Sequence, residues 1–485
     1  MTGRGGIDRV SSNLLRGRGD GLIFLCLALL LFVLPLARGG NRLWAVSFFD
    51  AAIFGLCAFW FLLFTLGRVQ VPTAVPRARY IIFLWLLLLA YIAFQFVPLP
   101  FLLVEAIAPI SAEKYVALTS LSGSQPQAIA LSISRGDTLD HLLESTGLLV
   151  LFLLVLLTVR DRRRMHFLAM TVVCSGLFQA VYGIIFLLSG VEQGLFFDTA
   201  SPIGAATGTF VNRNHLAGYL GITAAMGVGL VLADLTGGGA SSMRARFRYF
   251  VEFLLSDTVR LRVFVAIMVI ALVMTRSRMG NIAFFNALAV AGMVYILLRE
   301  RRLFLKSLLL FATFFLIDLL IIGNWFGLDQ LIERLESTRV SEEMRVDIFP
   351  DLLRAAEAYW PFGSGSGTFY TAFPEFRSEG ISKLHYHAHN DYMEFAIETG
   401  VVGLALLGGI VSLVMWHALR LLVRRRDRLV GGIAFAGIMS TIALGAHSTV
   451  DFNLQIPANA ATYVAVLALV MSCSVQGRRQ KEPSA

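Results

Sequence analysis

The sequence is poor in charge. Only 15% of its 485 residues are Asp, Glu, Lys or Arg, where soluble domains carry roughly a quarter. The apolar share is 57%, gathered in runs long enough to cross a bilayer, which takes about 20 residues of helix. An ordinary soluble domain is therefore excluded, and in lipid such runs must be helical because their backbone groups have no water to bond. Cysteine is scarce as well. Cys26, Cys57, Cys174 and Cys473 all lie in apolar runs and no polar segment holds a pair, so there is no disulfide framework. Each reads as a small buried hydrophobe. Internal repeats and low-complexity segments are also missing.

What is present is a series of apolar runs. They predict an all-α, polytopic integral membrane protein of about twelve spans: 21–37, 44–66, 80–97, 141–159, 165–189, 215–233, 261–275, 280–298, 303–323, 392–419, 430–446 and 459–475. The seventh is short, so it starts inside the basic loop before it or continues past Thr275. The first follows Arg4, Arg9, Arg16 and Arg18 and resembles a signal peptide. Its end, PLARGGNRLW, offers no convincing small-x-small cleavage site, so a retained helix is expected.

Basic residues give the orientation. One set of connections, with both termini, holds 28 Lys and Arg. The other holds 13 in far more sequence. The positive-inside rule places RDRRR (160–164), RERR (299–302) and RRRDR (424–428) in the cytoplasm with both termini. The net charge of +9 is mainly this signal and requires no nucleic-acid partner. Segments 98–140 and 324–391 then lie outside, the latter as a large periplasmic loop of short helices. Within it Ile348, Leu352, Leu353 and Ala356 fit one helical face, ended by Pro361 and a Gly-Ser run. Three regions are expected: N-terminal helices over 1–190, a catalytic membrane region over 191–476, and a cytoplasmic tail over 477–485.

Six of the eight histidines fall on the outer side, and no cytoplasmic loop is large enough for a nucleotide-binding domain. GSGSGTF (363–369) lacks the Lys-Ser/Thr of a phosphate loop and reads as a turn. Chemistry outside needs a substrate that arrives activated, such as a lipid-linked diphosphate. Cations for it stand at the outer edge: Arg213 in TGTFVNRNHLAGYL, and Arg276 and Arg278 in TRSRMG. Arginine binds phosphate through a planar fork. Two arginines in a loop of about four residues run against the orientation trend, which marks them as functional candidates.

The stretch LHYHAHNDYMEFAIETG (384–400) brings His385, His387 and His389 before a helix start. Asp391 and Glu394 have N-cap and capping-box spacing, with Asn390 as the other cap candidate. A metal site on one strand face, a pH sensor, a loop-ordering role and a general base all compete here. The base reading is favoured, with arginines holding the departing diphosphate. In GAHSTVDFNLQIPANAA (445–461), His447 and Asp451 pair at i+4. They read either as a capped helix end or as support for the site. Asp318 lies inside the ninth span with no assigned partner.

These residues carry a resemblance. GTFVNRNHLAGYL, the SRMG turn, RVDIFPDLLRAAEAYWPFGSGSGTF and HAHNDYMEFAIETGVVG together resemble the O-antigen ligase and O-antigen polymerase superfamily, over about 200–460. HSTVDFNLQIPANA looks like the end of a longer-chain branch. The resemblance implies a bacterial inner-membrane glycosyltransferase with an undecaprenyl-diphosphate-linked glycan as donor, a glycan or lipid-linked acceptor, membrane lipids around it, and an inverting reaction without metal or cofactor. It implies His389 as base and Arg213 and Arg278, with Arg276 beside them, on the diphosphate. Asn214, His215, Arg345, His385, His387, Asn390, Asp391 and Glu394 are the expected substrate contacts. The extra histidines, His385 and His387, leave the base open among three and weaken the case for lipid A-core as acceptor. A polymerase that extends the lipid-linked chain and a non-enzymatic glycan transporter are the alternatives.

Overall fold

The computed structural model describes residues 19–120, 126–190, 204–234, 257–299, 348–378 and 386–474. The fold is an all-α membrane bundle. Its main helices are α1 (Gly21–Val33), α2 (Leu43–Thr65), α3 (Arg79–Phe96), α4 (Arg135–Thr158), α5 (Arg162–Ser189), α6 (Arg213–Asp234), α7 (Asp257–Met274), α8 (Arg278–Arg299), α9 (Phe349–Ala358), α10 (Asp391–Arg424), α11 (Arg428–His447) and α12 (Pro457–Ser472). Among the described residues, eight of them (α2–α6, α8, α10 and α11) are long and apolar enough to cross a membrane, and α1 and α12 are shorter apolar helices. The expected span at 303–323 lies outside the described residues, as do Asp318, Arg345 and His385. The seventh run does begin inside the basic loop, at Asp257.

Burial sorts the helices into an inner and an outer set. The apolar window of α6 is 83% buried and that of α11 is 78%, against 17% for α2. Small residues let the inner pair touch: a Cβ on Gly229 would strike the backbone of Gly432, and one on Gly432 would strike the backbone of Gly229. Close backbone approach of this kind replaces hydrophobic driving force between helices in lipid. At one end of the bundle Asp20, fully buried before α1, pairs with Arg160 and Arg164 at 3.0 Å each. That joins α1 to the start of α5. Beside it, Asp427 caps α11 through the Val430 N–H at 3.1 Å and takes both contacts of Arg162.

The segment after α3 forms a two-stranded antiparallel pair, Leu99–Pro100 with Ala128–Ile129, around short helices at Phe101–Ile107 and Pro109–Ser120. Helix α9 buries Ile348, Leu352, Ala355 and Tyr359. Leu353, expected on that face, is 41% exposed; the buried stripe turns one residue aside from it. The cysteines are free. Only Cys473 is buried, while Cys26, Cys57 and Cys174 are half-buried on helices whose outer faces carry apolar residues.

The glycine-rich loop has a structural job. Helix α10 breaks at Gly400 (φ +58°, ψ −160°), so the carbonyls of Ile397 and Glu398 lose the N–H partners that an unbroken helix supplies four residues on. Ser364 N–H donates to Ile397 O at 2.8 Å and Gly365 N–H to Glu398 O at 3.0 Å. Gln95 of α3 donates its Nε2 to Phe362 O (2.8 Å) and to Glu398 O (3.0 Å) and accepts from Ser366 N–H (3.1 Å). In return, Val401 N–H donates to Pro361 O. Irregular backbone at membrane depth is stable only where protein satisfies it, and here the loop and α3 do so.

Candidate active site

Three helices that carry predicted residues start at one end of the bundle. Asn212 opens α6, its Oδ1 accepting from Asn214 N–H at 2.9 Å. Ser277 opens α8, its Oγ accepting from Gly280 N–H at 3.2 Å. Asn390 opens α10, its Oδ1 accepting from Met393 N–H at 3.1 Å. The first of these leaves Arg213 on the first turn of α6. The second leaves Arg278 on the first turn of α8, after Arg276 in a left-handed conformation (φ +53°). The third corrects the expectation for Asp391, which is not the cap. Asp391 is buried and holds the neighbouring turn instead. Its Oδ2 accepts from Ser448 Oγ (2.6 Å) and Leu454 N–H (3.1 Å), and its N–H donates to Ser448 O (3.0 Å).

Glu394 is not a capping-box partner either. It is buried, with Oε1 at 2.7 Å from His387 Nδ1 and Oε2 accepting from Ala388 N–H at 2.8 Å. Glu398, one turn on, accepts from Phe369 N–H at 3.0 Å. Residues 386–390 form bends, not a strand, so His387 and His389 do not share a strand face. His387 goes to Glu394 and His389 to Asp451. Among the described residues no group of three or more His, Cys, Asp or Glu is arranged to hold a metal ion.

Asp451 is the centre of the site. His389 Nδ1 lies 3.7 Å from its Oδ1, His215 Nε2 3.7 Å from the same oxygen, and His447 Nε2 3.9 Å from Oδ2. These are ion-pair separations, longer than hydrogen bonds. Burial alone would raise the Asp451 pKa, but His215, His389 and His447 outweigh it and hold the carboxyl well below the usual carboxylate range. Phe452 makes the other wall. His387 stacks on its ring (4.3 Å between centroids), and His215 and His389 meet it edge-on at 4.6 and 4.9 Å.

Access separates the four imidazoles. The side chains of His387 and His389 keep 30% and 31% exposure, while His215 and His447 keep 5% and 3%. His389 also stands in the left-handed region (φ +50°), a conformation that non-glycine residues hold mainly where the surroundings impose it. Beside His387, Tyr386 stacks on Tyr370 at 4.8 Å, both exposed.

The arginine helices reach this cluster within their first turns. His215 is two residues past Arg213. A Cβ added to Gly280, two residues past Arg278, would come within 2.6 Å of Ala217 Cβ and 3.2 Å of His447 Cε1. Only glycine lets α8 approach α6 and the end of α11 this closely. Arg276 packs against Gly204, and Ala206 N–H donates to Met274 O at 2.9 Å, which ties the 204–210 loop to the TRSRMG turn. Arg213 and Arg278 are exposed and Arg276 is half-buried. The structure thus brings His215, His387, His389, His447, Asp391, Glu394 and Asp451 together, with Arg213 and Arg278 at the heads of two helices that touch the cluster.

Phe452 and Gln95 escape the sequence reading. Nothing marks Phe452 among 38 phenylalanines except its place after Asp451, and Gln95 is a lone amide in an apolar helix. That second isolation is a signal, since a polar group inside a span needs a partner.

Residues 263–408 match the family model for O-antigen ligase (Wzy_C). The match takes in most of α7, all of α8 and α9, the glycine-rich loop, HAHND and the first half of α10. No curated protein matches the chain. The match supports the likeness to the O-antigen ligase/polymerase superfamily that the motifs carry, and the apolar helices are those of a multi-pass membrane protein.

Proposed function

From this likeness, we propose that the chain transfers a glycan from a polyprenyl diphosphate, undecaprenyl diphosphate in particular, to an acceptor hydroxyl at the periplasmic face of the bacterial inner membrane. His389 is the general base. Its Nδ1 faces Asp451, and its Nε2 is the atom that meets the acceptor O–H. As Nε2 takes that proton, the acceptor oxygen bonds to the anomeric carbon and the bond from that carbon to the diphosphate oxygen breaks. A single displacement of this kind inverts the anomeric centre. The negative charge that develops on the leaving diphosphate is met by Arg213, Arg276 and Arg278, whose guanidinium forks each bind two oxygens.

The observation that carries the reading is the placement of an accessible imidazole on a buried carboxylate at the bundle end where α6 and α8 begin. Asp451 orients the ring and stabilises the imidazolium once the proton has moved. The exposed Tyr370–Tyr386 stack offers an aromatic face to sugar rings.

A second reading exchanges His389 for His387, and one contact favours it: the 2.7 Å bond from His387 Nδ1 to buried Glu394, which fixes the ring and leaves its Nε2 open. One experiment decides. With purified protein, lipid-diphosphate glycan and acceptor, His389→Ala should stop transfer and His387→Ala should leave measurable transfer. The reverse pattern assigns the base to His387, and full transfer by both variants removes the reading.

A further inference from the structure

His215, expected as a substrate contact, is closed off from one. Its side chain keeps 5% exposure, against 31% for His389. Its backbone is pinned on both sides. The His215 N–H donates to Asn212 O at 3.1 Å, and the His215 carbonyl accepts from Asn459 Nδ2 at 3.1 Å. Asn459 Nδ2 also donates to Asn453 Oδ1 at 3.1 Å. One turn along α6, a Cβ on Gly218 would strike Asn453 Oδ1, so only glycine lets α6 lie this close to the 453–459 stretch. The start of α6 and the chain that follows Asp451 are thus locked together, and Phe452 closes on the His215 ring edge-on.

The buried ring has one charged neighbour. His215 Nε2 makes no hydrogen bond and lies 3.7 Å from Asp451 Oδ1, the oxygen that His389 Nδ1 meets at the same distance. His447 Nε2 takes the other oxygen, 3.9 Å from Oδ2. Asp451 is held in its ionised form. A nitrogen lone pair set against a carboxylate oxygen is repelled, so each imidazole presents an N–H to it. A carboxylate with a buried partner on each oxygen cannot turn without losing one. His215 and His447 therefore fix the plane in which Oδ1 faces His389.

We infer that His215 is a positioning residue for the base: from inside the protein it holds Asp451 Oδ1 toward His389, so that the imidazolium formed when His389 Nε2 takes the acceptor proton meets a fixed charge. This rests on the transfer reading above and deepens it. Arg213 stands two residues earlier on the same turn of α6. That one turn then sets both a cation for the departing diphosphate and the support behind the base, and donor placement and base orientation share an anchor.

The test compares two substitutions in the purified full-length protein. His215→Gln carries an amide nitrogen that reaches about as far as Nε2, whereas His215→Asn falls one carbon short. Transfer kinetics should show kcat lowered about tenfold in His215→Asn, the low end for loss of an orienting partner. Both KM values should stay level, and His215→Gln should recover kcat. In an Asp451→Asn background, His215→Asn should cost nothing further, because the two residues act as one unit. A raised donor KM makes His215 a donor contact and overturns the inference. So does an equal loss in both backgrounds, full kcat in His215→Asn, or a His215→Gln protein no better than His215→Asn. His215→Ser, which also lacks the reach, repeats the comparison if His215→Asn does not fold. A second readout needs no donor. Diethyl pyrocarbonate modifies an imidazole nitrogen that bears a lone pair, and in mildly alkaline buffer free imidazole is neutral. Modification of His389, read by mass spectrometry against that of His387, should at least halve in His215→Asn and return in His215→Gln. Equal modification in all three proteins overturns the inference. The expected modification pattern in a protein without transfer activity removes only the transfer reading. Transfer that is insensitive to His215→Asn, with His389 modification unchanged, removes only the role of His215.

Discussion

His389 and Asp451 face each other at 3.7 Å, Nδ1 to Oδ1, across the gap between the loop that precedes α10 and the turn that follows α11. Sixty-two positions of sequence separate them, and a hydrogen-bonded staple closes the distance: Asp391 N–H and Oδ2 hold the 448–454 turn against the start of α10. The same carboxylate gathers His215 from α6 and His447 from α11. A group set among three imidazoles is placed to keep its charge.

Removing that charge separates chemistry from binding. Asp451→Asn keeps the shape of the side chain but leaves the imidazolium of His389 unsupported. We expect kcat to fall about 100-fold, the lower range for a lost acid–base contribution, with the donor KM little changed. Steady-state transfer kinetics on the purified variant check this, and an unchanged kcat would count against Asp451.

Asp451 also sets a pH dependence of stability. Its folded pKa is depressed, so its contribution is fully present above the ordinary carboxylate value of about 4. It declines as pH falls below that value and is gone once pH passes through the folded value. The stability gap between wild type and Asp451→Asn should be constant near neutrality and shrink only in that acid window. Thermal unfolding in detergent across pH measures it; a gap that widens on acidification contradicts the depressed pKa.

The arginines are expected to act through geometry as well as charge. Arg278→Lys keeps the charge but loses the two-oxygen fork, and we expect the donor KM to rise about tenfold. The acceptor KM should stay level. A rise in the acceptor KM alone would place Arg278 on the wrong substrate.

Gln95 links the N-terminal helices to the site. Gln95→Leu strands Ser366 N–H, at about 1–3 kcal/mol for a buried group left unpaired, and removes one donor each from Phe362 O, which keeps Tyr91, and from Glu398 O, which keeps Gly365 N–H. We expect a lower melting temperature and faster proteolysis of the 361–369 loop. Unchanged melting and proteolysis would show that the loop holds the break in α10 unaided.

At the opposite end of the bundle, Asp20→Ala removes the buried carboxylate that Arg160 and Arg164 share, leaving their contacts to Leu157 O and Thr158 O. Breaking such a group by removing one partner costs about 3–5 kcal/mol. The double change of both arginines to Met should recover part of that loss. Detergent melting curves of the three proteins test the order.

Much of the membrane bundle was legible because its physics is local. A run of apolar residues must be helical in lipid whatever surrounds it, and eleven of the twelve expected ranges coincide with described helices. Helix starts were less legible. Asn390 and Asp391 are adjacent cap residues, and their choice depends on whether the 448–454 turn is there to take the Asp391 carboxylate. The histidine motif was visible but its partners were not, since alternation along 385–389 suits a strand face as well as two separate carboxylates. Leu353 failed for the same reason: the sequence shows amphipathicity, while the neighbour decides which edge of the stripe is covered.

By itself the sequence determined that the chain is a helical membrane protein, which runs become helices, and that three arginines and the histidines of the loop stand at helix starts. Those properties follow from composition and spacing within about 20 residues. Only the tertiary structure decided that Asp451 is the common partner of His215, His389 and His447, that Phe452 is their shared wall, and that Gln95 and the glycine loop stabilise the break at Gly400. Each of these joins residues from separate helices, and which faces of those helices meet is fixed by close contacts such as Gly280 against His447, which no single segment encodes.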